Sequence, residues 1–147
     1  MLYNLIPGKQ SYLEKVQNVK QGDYLLFKDE PYKILKGQVK MSSHGICAYF
    51  KVEHAFSKQI LEDKFHSNGY LEIPVIQFEE YNLVGINDDD FLSLLKSNGT
   101  IREDLKMPIY KELSNKIKMW FEDGKVIIVQ IMKYLDKEEV FDARCDE

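Results

Sequence analysis

The sequence predicts a mostly β chain in two parts, the second a small OB-type barrel carrying one helix. Three observations carry that expectation. Apolar and polar residues alternate with period two along most of the chain, as half-buried strands require. Only residues 110–124 switch to the three- and four-residue spacing of an amphipathic helix. Pro74 interrupts the stretch YLEIPVIQFEEYNLVGIN, and a residue without an amide hydrogen cannot serve a central ladder.

Each element follows from its local pattern. YLLF (24–27) and PYKILKG (31–37) read as paired strands joined by the turn residues Lys28 to Pro31. ICAYFKVE (46–53) and KQILEDKF (58–65) read as a second pair. Between the two pairs, KMSSHGIC (40–47) is a polar interruption, and a loop is expected over 38–46. Asn68-Gly69 is a strong hairpin signal. Beyond Pro74, YNLVGIN (81–87) and FLSLLKS (91–97) flank the acidic turn Asp88-Asp89-Asp90. A second Asn-Gly turn at 98–99 leads into TIREDLKMP, a strand that Pro108 ends. In the helix, Leu113, Ile117, Trp120 and Phe121 form the apolar stripe, and Gly124 is the C-terminal cap. The stripe is expected to cover one end of the second barrel, with Trp120 and Phe121 substantially buried. KVIIVQIMKYL (125–135) reads as a buried strand and EEVFDARC (138–145) as a closing one. Five short strands and one helix suit an OB-type plan.

Charge divides at the same place. Residues 1–74 carry ten lysines against eight carboxylates, a balance of +2, and residues 75–147 carry −6. The expected domains are therefore 1–74 and 75–147. With 44% hydrophobic and 30% charged residues in 147, the chain is globular in composition. It contains no apolar run long enough to span a bilayer and no secretory signal pattern at its start, so a cytoplasmic protein without a membrane partner is expected.

The chemical motifs are sparse. His44 and Cys47 form H-x-x-C, with His54 and His66 downstream, but no second close pair completes a zinc set. Cys47 lies in a strand pattern with no orienting third group for a nucleophile, and two cysteines without CxxC spacing read as free thiols. The Asp88–Asp90 run lacks the glycine and distal glutamate of a calcium loop. Asn98-Gly99-Thr100 is formally a glycosylation sequon, read here as a turn. Tyr24, Phe27, Tyr32, Tyr49 and Phe50 are candidates for stacking on bases as well as for core. No Gly-rich phosphate loop or nucleophile elbow occurs, so neither an enzyme nor a cofactor is expected.

Several stretches together resemble the eukaryotic translation initiation factor 5A family: GDYLLFKDEPYKIL, SHG, LEDKF, EIPVIQFEEYNLVGI, FLSLL and IREDLKMP. The most telling pieces are Gly22-Asp23-Tyr24, Pro31-Tyr32-Lys33, Leu61-Glu62-Asp63, Tyr81-Asn82-Leu83, Leu92-Ser93-Leu94-Leu95 and Arg102-Glu103-Asp104-Leu105. The resemblance spans residues 20–145. It implies an N-terminal SH3-like barrel followed by a C-terminal OB-fold. It also implies binding to the ribosome beside peptidyl-tRNA, or to other RNA, to assist elongation and termination.

In that family the loop of the first barrel reads S-K-T-G-K-H-G, and the lysine before His-Gly becomes hypusine. Setting His44-Gly45 on that pair places Lys40 on the upstream lysine, Ser42 on the glycine and Ser43 on the modified lysine. Sliding by one position brings His44 there, which is again no lysine. The modification needs a primary amine, and a serine hydroxyl is none. The resemblance thus implies an unmodified factor. Lys28, Lys33, Lys36, Lys40 and Lys51 remain to meet phosphate. The alternative is a non-ribosomal paralogue turned structural or self-assembling, against which the acidic second half argues by self-repulsion.

Overall fold

The computed structural model describes residues 5–43, 45–66 and 69–146, and the chain divides into two compact units, Met1–Val75 and Ile76–Glu147. In the first unit β2 (Tyr24–Phe27), β3 (Glu30–Ser42), β4 (Gly45–His54) and β5 (Ile60–His66) form an antiparallel sheet in chain order. A second sheet pairs β1 (Ser11–Lys15) with β6 (Tyr70–Pro74). The strand β1 was not anticipated, because SYLEK is short and its partner lies some 60 residues on (Ser11 opposite Pro74). Ser11 is fully buried, and its hydroxyl donates to Glu72 at 2.6 Å, so the buried polar group is satisfied.

Alternation does the packing here. Ala48, Phe50 and Val52 on β4 join Val16, Leu25, Ile34 and Leu71 in one core. The β2–β3 turn is two residues long, with Lys28 (φ 52°) and Asp29 (φ 64°) both left-handed, as a primed hairpin turn demands. A bulge between Ile34 and Lys36 resets the register of β3 against β4. Just beyond it, a Cβ on Gly37 would meet the Phe50 ring at 2.6 Å, so only glycine fits.

The second unit is a five-stranded antiparallel sheet in the order β11-β10-β7-β8-β9, with one helix, an OB-fold plan. Its strands are β7 (Gln77–Ile86), β8 (Leu92–Leu95), β9 (Ile101–Arg102), β10 (Ile127–Tyr134) and β11 (Lys137–Cys145), and α1 is Lys111–Glu122. Leu113 and Ile117 of α1 enter a core with Leu92, Leu94, Val129 and Ile131. The helix ends as expected: Gly124 is left-handed, its amide donates to Phe121 and the Lys125 amide donates to Trp120.

Two expectations need correction. Trp120 packs against the core as expected, with Lys116 Nζ 5.0 Å from its ring, but Phe121 is 37% exposed. At about 100° per residue, Phe121 lies roughly 75° from the centre of the stripe that Leu113, Ile117 and Trp120 define, at its solvent edge. The strand expected through TIREDLKMP stops at Arg102. There the guanidinium binds Asp104 and Glu138, each at 2.7 Å, while Leu105 and Met107 turn into the core.

Candidate functional site

The long hairpin β3–β4 is the structural centre of the sequence-predicted site. The ladder pairs Lys40 with Cys47, Met41 with Ile46 and Ser42 with Gly45. The loop expected over 38–46 is therefore strand almost to its end, because backbone pairing holds Met41-Ser42 once β4 lies opposite. Between the last paired residues stand Ser43, exposed and in the turn, and His44, which lies outside the described residues. Gly45 has φ 115°, a conformation that a side chain would resist. The tip is thus carried on a two-stranded arm paired to Ser42 and Gly45.

Period two then sorts the lysines. On β4 the buried residues are Ala48, Phe50 and Val52, so Cys47, Tyr49 and Lys51 belong to the opposite face. Their partners across the ladder are Lys40, Gln38 and Lys36. Lys36, Lys40 and Lys51 therefore share one face that leads toward the tip, with Tyr49 among them and Lys40 Nζ 5.6 Å from its ring centroid. The other two predicted phosphate contacts sit elsewhere. Lys28 occupies the β2–β3 turn at the far end of β3, its Nζ 5.2 Å from the Phe27 ring. Lys33 is paired with Glu53 on β4, and the Tyr24 phenol opposite is pushed up in pKa by burial and then by Glu53.

Of the aromatic candidates for stacking, Phe50 is buried, and Phe27 and Tyr32 pack against the core. Tyr24 is half-buried, and Tyr49 is 40% exposed. Beside Tyr49 opens a cleft of about 740 Å³, bordered by Lys36, Gln38, Lys51, Glu62 and Asp63. Glu62 and Asp63 were not anticipated as site residues. Their place beside Lys51 and Phe50 depends on the β4–β5 register, which local pattern does not specify.

Of the histidine and cysteine candidates, Cys47 stands opposite His66 in the β4–β5 ladder, and His54 is engaged elsewhere. The His54 ring nitrogen Nδ1 accepts from the amides of Phe56 (3.2 Å) and Ser57 (3.0 Å), which leaves Nε2 to donate to Glu30 at 3.0 Å. That ring is a structural clasp. Cys47 and Cys145 are free thiols, and among the described residues no cluster of His, Cys, Asp or Glu could hold a metal. In the second unit the Asp88–Asp90 turn is organised by Asn87, whose side-chain oxygen accepts from the amides of Asp89 and Phe91 at 2.9 Å each. Among the described residues no helix is long and apolar enough to cross a membrane.

An SH3-like unit followed by an OB-fold, with a long hairpin in the first, defines a two-domain β protein. Comparison with known proteins narrows the class. Residues 75–144 match the sequence model of the family described as eukaryotic elongation factor 5A hypusine, DNA-binding OB fold. Eukaryotic translation initiation factor 5A-3 of Arabidopsis thaliana is 30% identical over 135 residues, covering 90% of this chain and 85% of that protein. Factor 5A-2 of Medicago sativa is 29% identical over the same shares. Among solved structures, a translation initiation factor 5A family protein from Naegleria fowleri superposes with a TM-score of 0.76 at 27% identity, covering 92% of this chain and 99% of that one. The factor from Methanococcus jannaschii gives 0.68 at 17% identity, covering 95% and 99%, a likeness of fold. The chain belongs to the eukaryotic translation initiation factor 5A family and is a translation factor by that kinship.

Proposed function

We propose that this factor binds the ribosome beside peptidyl-tRNA through its first unit and assists elongation and termination without hypusine. The observation that carries the reading is the hairpin tip. The ladder closes at Ser42 and Gly45, and the exposed residue that the alignment sets on the family's modified lysine is Ser43. A hydroxyl offers no primary amine to receive an aminobutyl group, and it adds no cation. What supports retained RNA contact is the set Lys36, Lys40 and Lys51 on the face behind the tip. Each phosphate neutralised there steepens the salt dependence of binding by about 0.7 on single strands and 0.9 on duplex.

The test is ribosome pelleting of the full chain over a range of salt, with Ser43→Lys alongside. Salt-sensitive association of the wild type, strengthened roughly tenfold by the added cation, is the expected outcome, since one charge-assisted contact contributes about 1–2 kcal/mol. If neither protein sediments with ribosomes at low salt, the translation reading fails and a structural, self-assembling paralogue takes its place.

A further inference from the structure

The outer face of β3–β5 carries more chemistry than phosphate binding needs. We propose that it is a single-stranded RNA site, in which one base stacks on Tyr49 while Lys36, Lys40 and Lys51 take the flanking phosphates. The proposal rests on the translation-factor reading for placing RNA at the first unit, and it names the form that RNA takes there.

Shape supports it first. The cleft beside Tyr49 holds about 740 Å³, within the range of pockets that enclose small ligands and ample for a nucleotide. The Gly37 backbone borders the cleft between Lys36 and Gln38. The Tyr49 ring, 40% exposed on a sheet face whose other side is core, gives base stacking a rigid platform.

Charge supports it second. Lys36 and Lys51 are direct cross-strand partners, and like charges in that position destabilise a sheet. Glu62 stands opposite Lys51 on its other side and offsets one of the two, while Lys40 adds a third cation next to Tyr49. The row keeps a cationic surplus along β3 that a phosphate would offset. On β5 the register sets Glu62 on the same face as Lys51, at the rim of the cleft. A carboxylate there repels phosphate and accepts hydrogen bonds from exocyclic base amines. The geometry therefore points the backbone of the RNA along β3 and a base edge toward Glu62. Guanine, adenine and cytosine carry such an amine, whereas uracil does not.

Fluorescence anisotropy with the full chain at low salt tests this, using fluorescein-labelled RNA octamers of alternating adenine and guanine and of uracil alone. The purine octamer should bind saturably and more tightly than the uracil one. Tyr49→Ala should weaken it about fivefold or more, the usual loss on removing a stacking ring, while Tyr49→Phe keeps the affinity. Lys51→Gln should lower the salt slope by about 0.7. A purine octamer that does not bind, or that binds Tyr49→Ala as well as Tyr49→Phe, overturns the proposal. Equal affinity for the two octamers removes the part assigned to Glu62. Ribosome pelleting of the same preparations separates the two readings. Association with ribosomes without octamer binding refutes this site alone, and octamer binding that depends on Tyr49 without ribosome association refutes the translation reading alone.

Discussion

Ser43 and Gly37 show how differently single residues can be read. On the proposed alignment Ser43 carries a hydroxyl where the family has the modified amine, and no arrangement of neighbours turns one into the other. Co-expression with the enzyme that builds hypusine should therefore leave the intact mass of the wild type unchanged. Ser43→Lys should gain one aminobutyl group if the short turn fits that enzyme, and a gain on the wild-type chain would show that the alignment is misplaced. Gly37 is silent in the sequence, since its constraint comes from Phe50 across the ladder. Gly37→Ala forces either the ring or the strand to move, an overpacking cost of about 1–3 kcal/mol. Urea unfolding followed by far-ultraviolet circular dichroism should show it. An unchanged midpoint would mean that Phe50 has room to swing.

At the scale of elements, the helix separates pattern from packing. Its apolar stripe was legible, and Leu113 and Ile117 are buried as the spacing requires. The stripe's edge was not, because periodicity gives a direction and only the sheet beneath decides how wide the covered arc is. Ile117→Ala, at a fully buried site, should cost about 2–5 kcal/mol. Phe121→Ala, at the solvent edge, should stay within about 1 kcal/mol. Equal losses from the two substitutions in thermal unfolding would contradict this account of the helix face. The hairpin teaches the same lesson in reverse. KMSSHGIC looks like a loop because its residues are polar, yet β4 supplies hydrogen-bonding partners as far as Ser42, so polarity overstated the loop's length.

For the whole molecule, the two units have separate cores that share no residue among those described. Trp120 is the only tryptophan and belongs to the second. Its fluorescence should therefore follow the unfolding of that unit. Ile117→Ala should shift the fluorescence transition, and Leu25→Ala, in the first core, should leave it in place. A matching shift from Leu25→Ala would show that the units unfold together. Acid stability should also concentrate in the second unit. There Glu80 is held down to about 2 from 4.5, first by its hydrogen bond from Arg144 and then by Gln130. Asp104 and Glu138 are lowered by Arg102 in the same way. Because the folded pKa is depressed, the unfolded chain takes up the proton first. The stabilisation is then complete above about 4.5 and is lost as pH falls toward 2. Arg144→Gln should lower stability at neutral pH and flatten the fall between pH 4.5 and 2, measured by fluorescence-detected denaturation. An acid limb as steep as that of the wild type would count against the Glu80 pair.

Sequence by itself determined the β alternation, the helix with its glycine cap and the kinship with a translation-factor family. All of these depend on residue type and on spacings within a few positions, where burial and backbone preference act locally. Tertiary structure alone decided which strands meet and in what register. It paired Ser11 with Pro74, carried the hairpin to Ser42 and Gly45, and set Lys36 across from Lys51 with Tyr49 and Glu62 beside them. Register is a contact between residues far apart in the chain, chosen by how the buried faces fit together. That choice sets Lys36, Lys40 and Lys51 on one face and leaves Lys28 at the other end of β3.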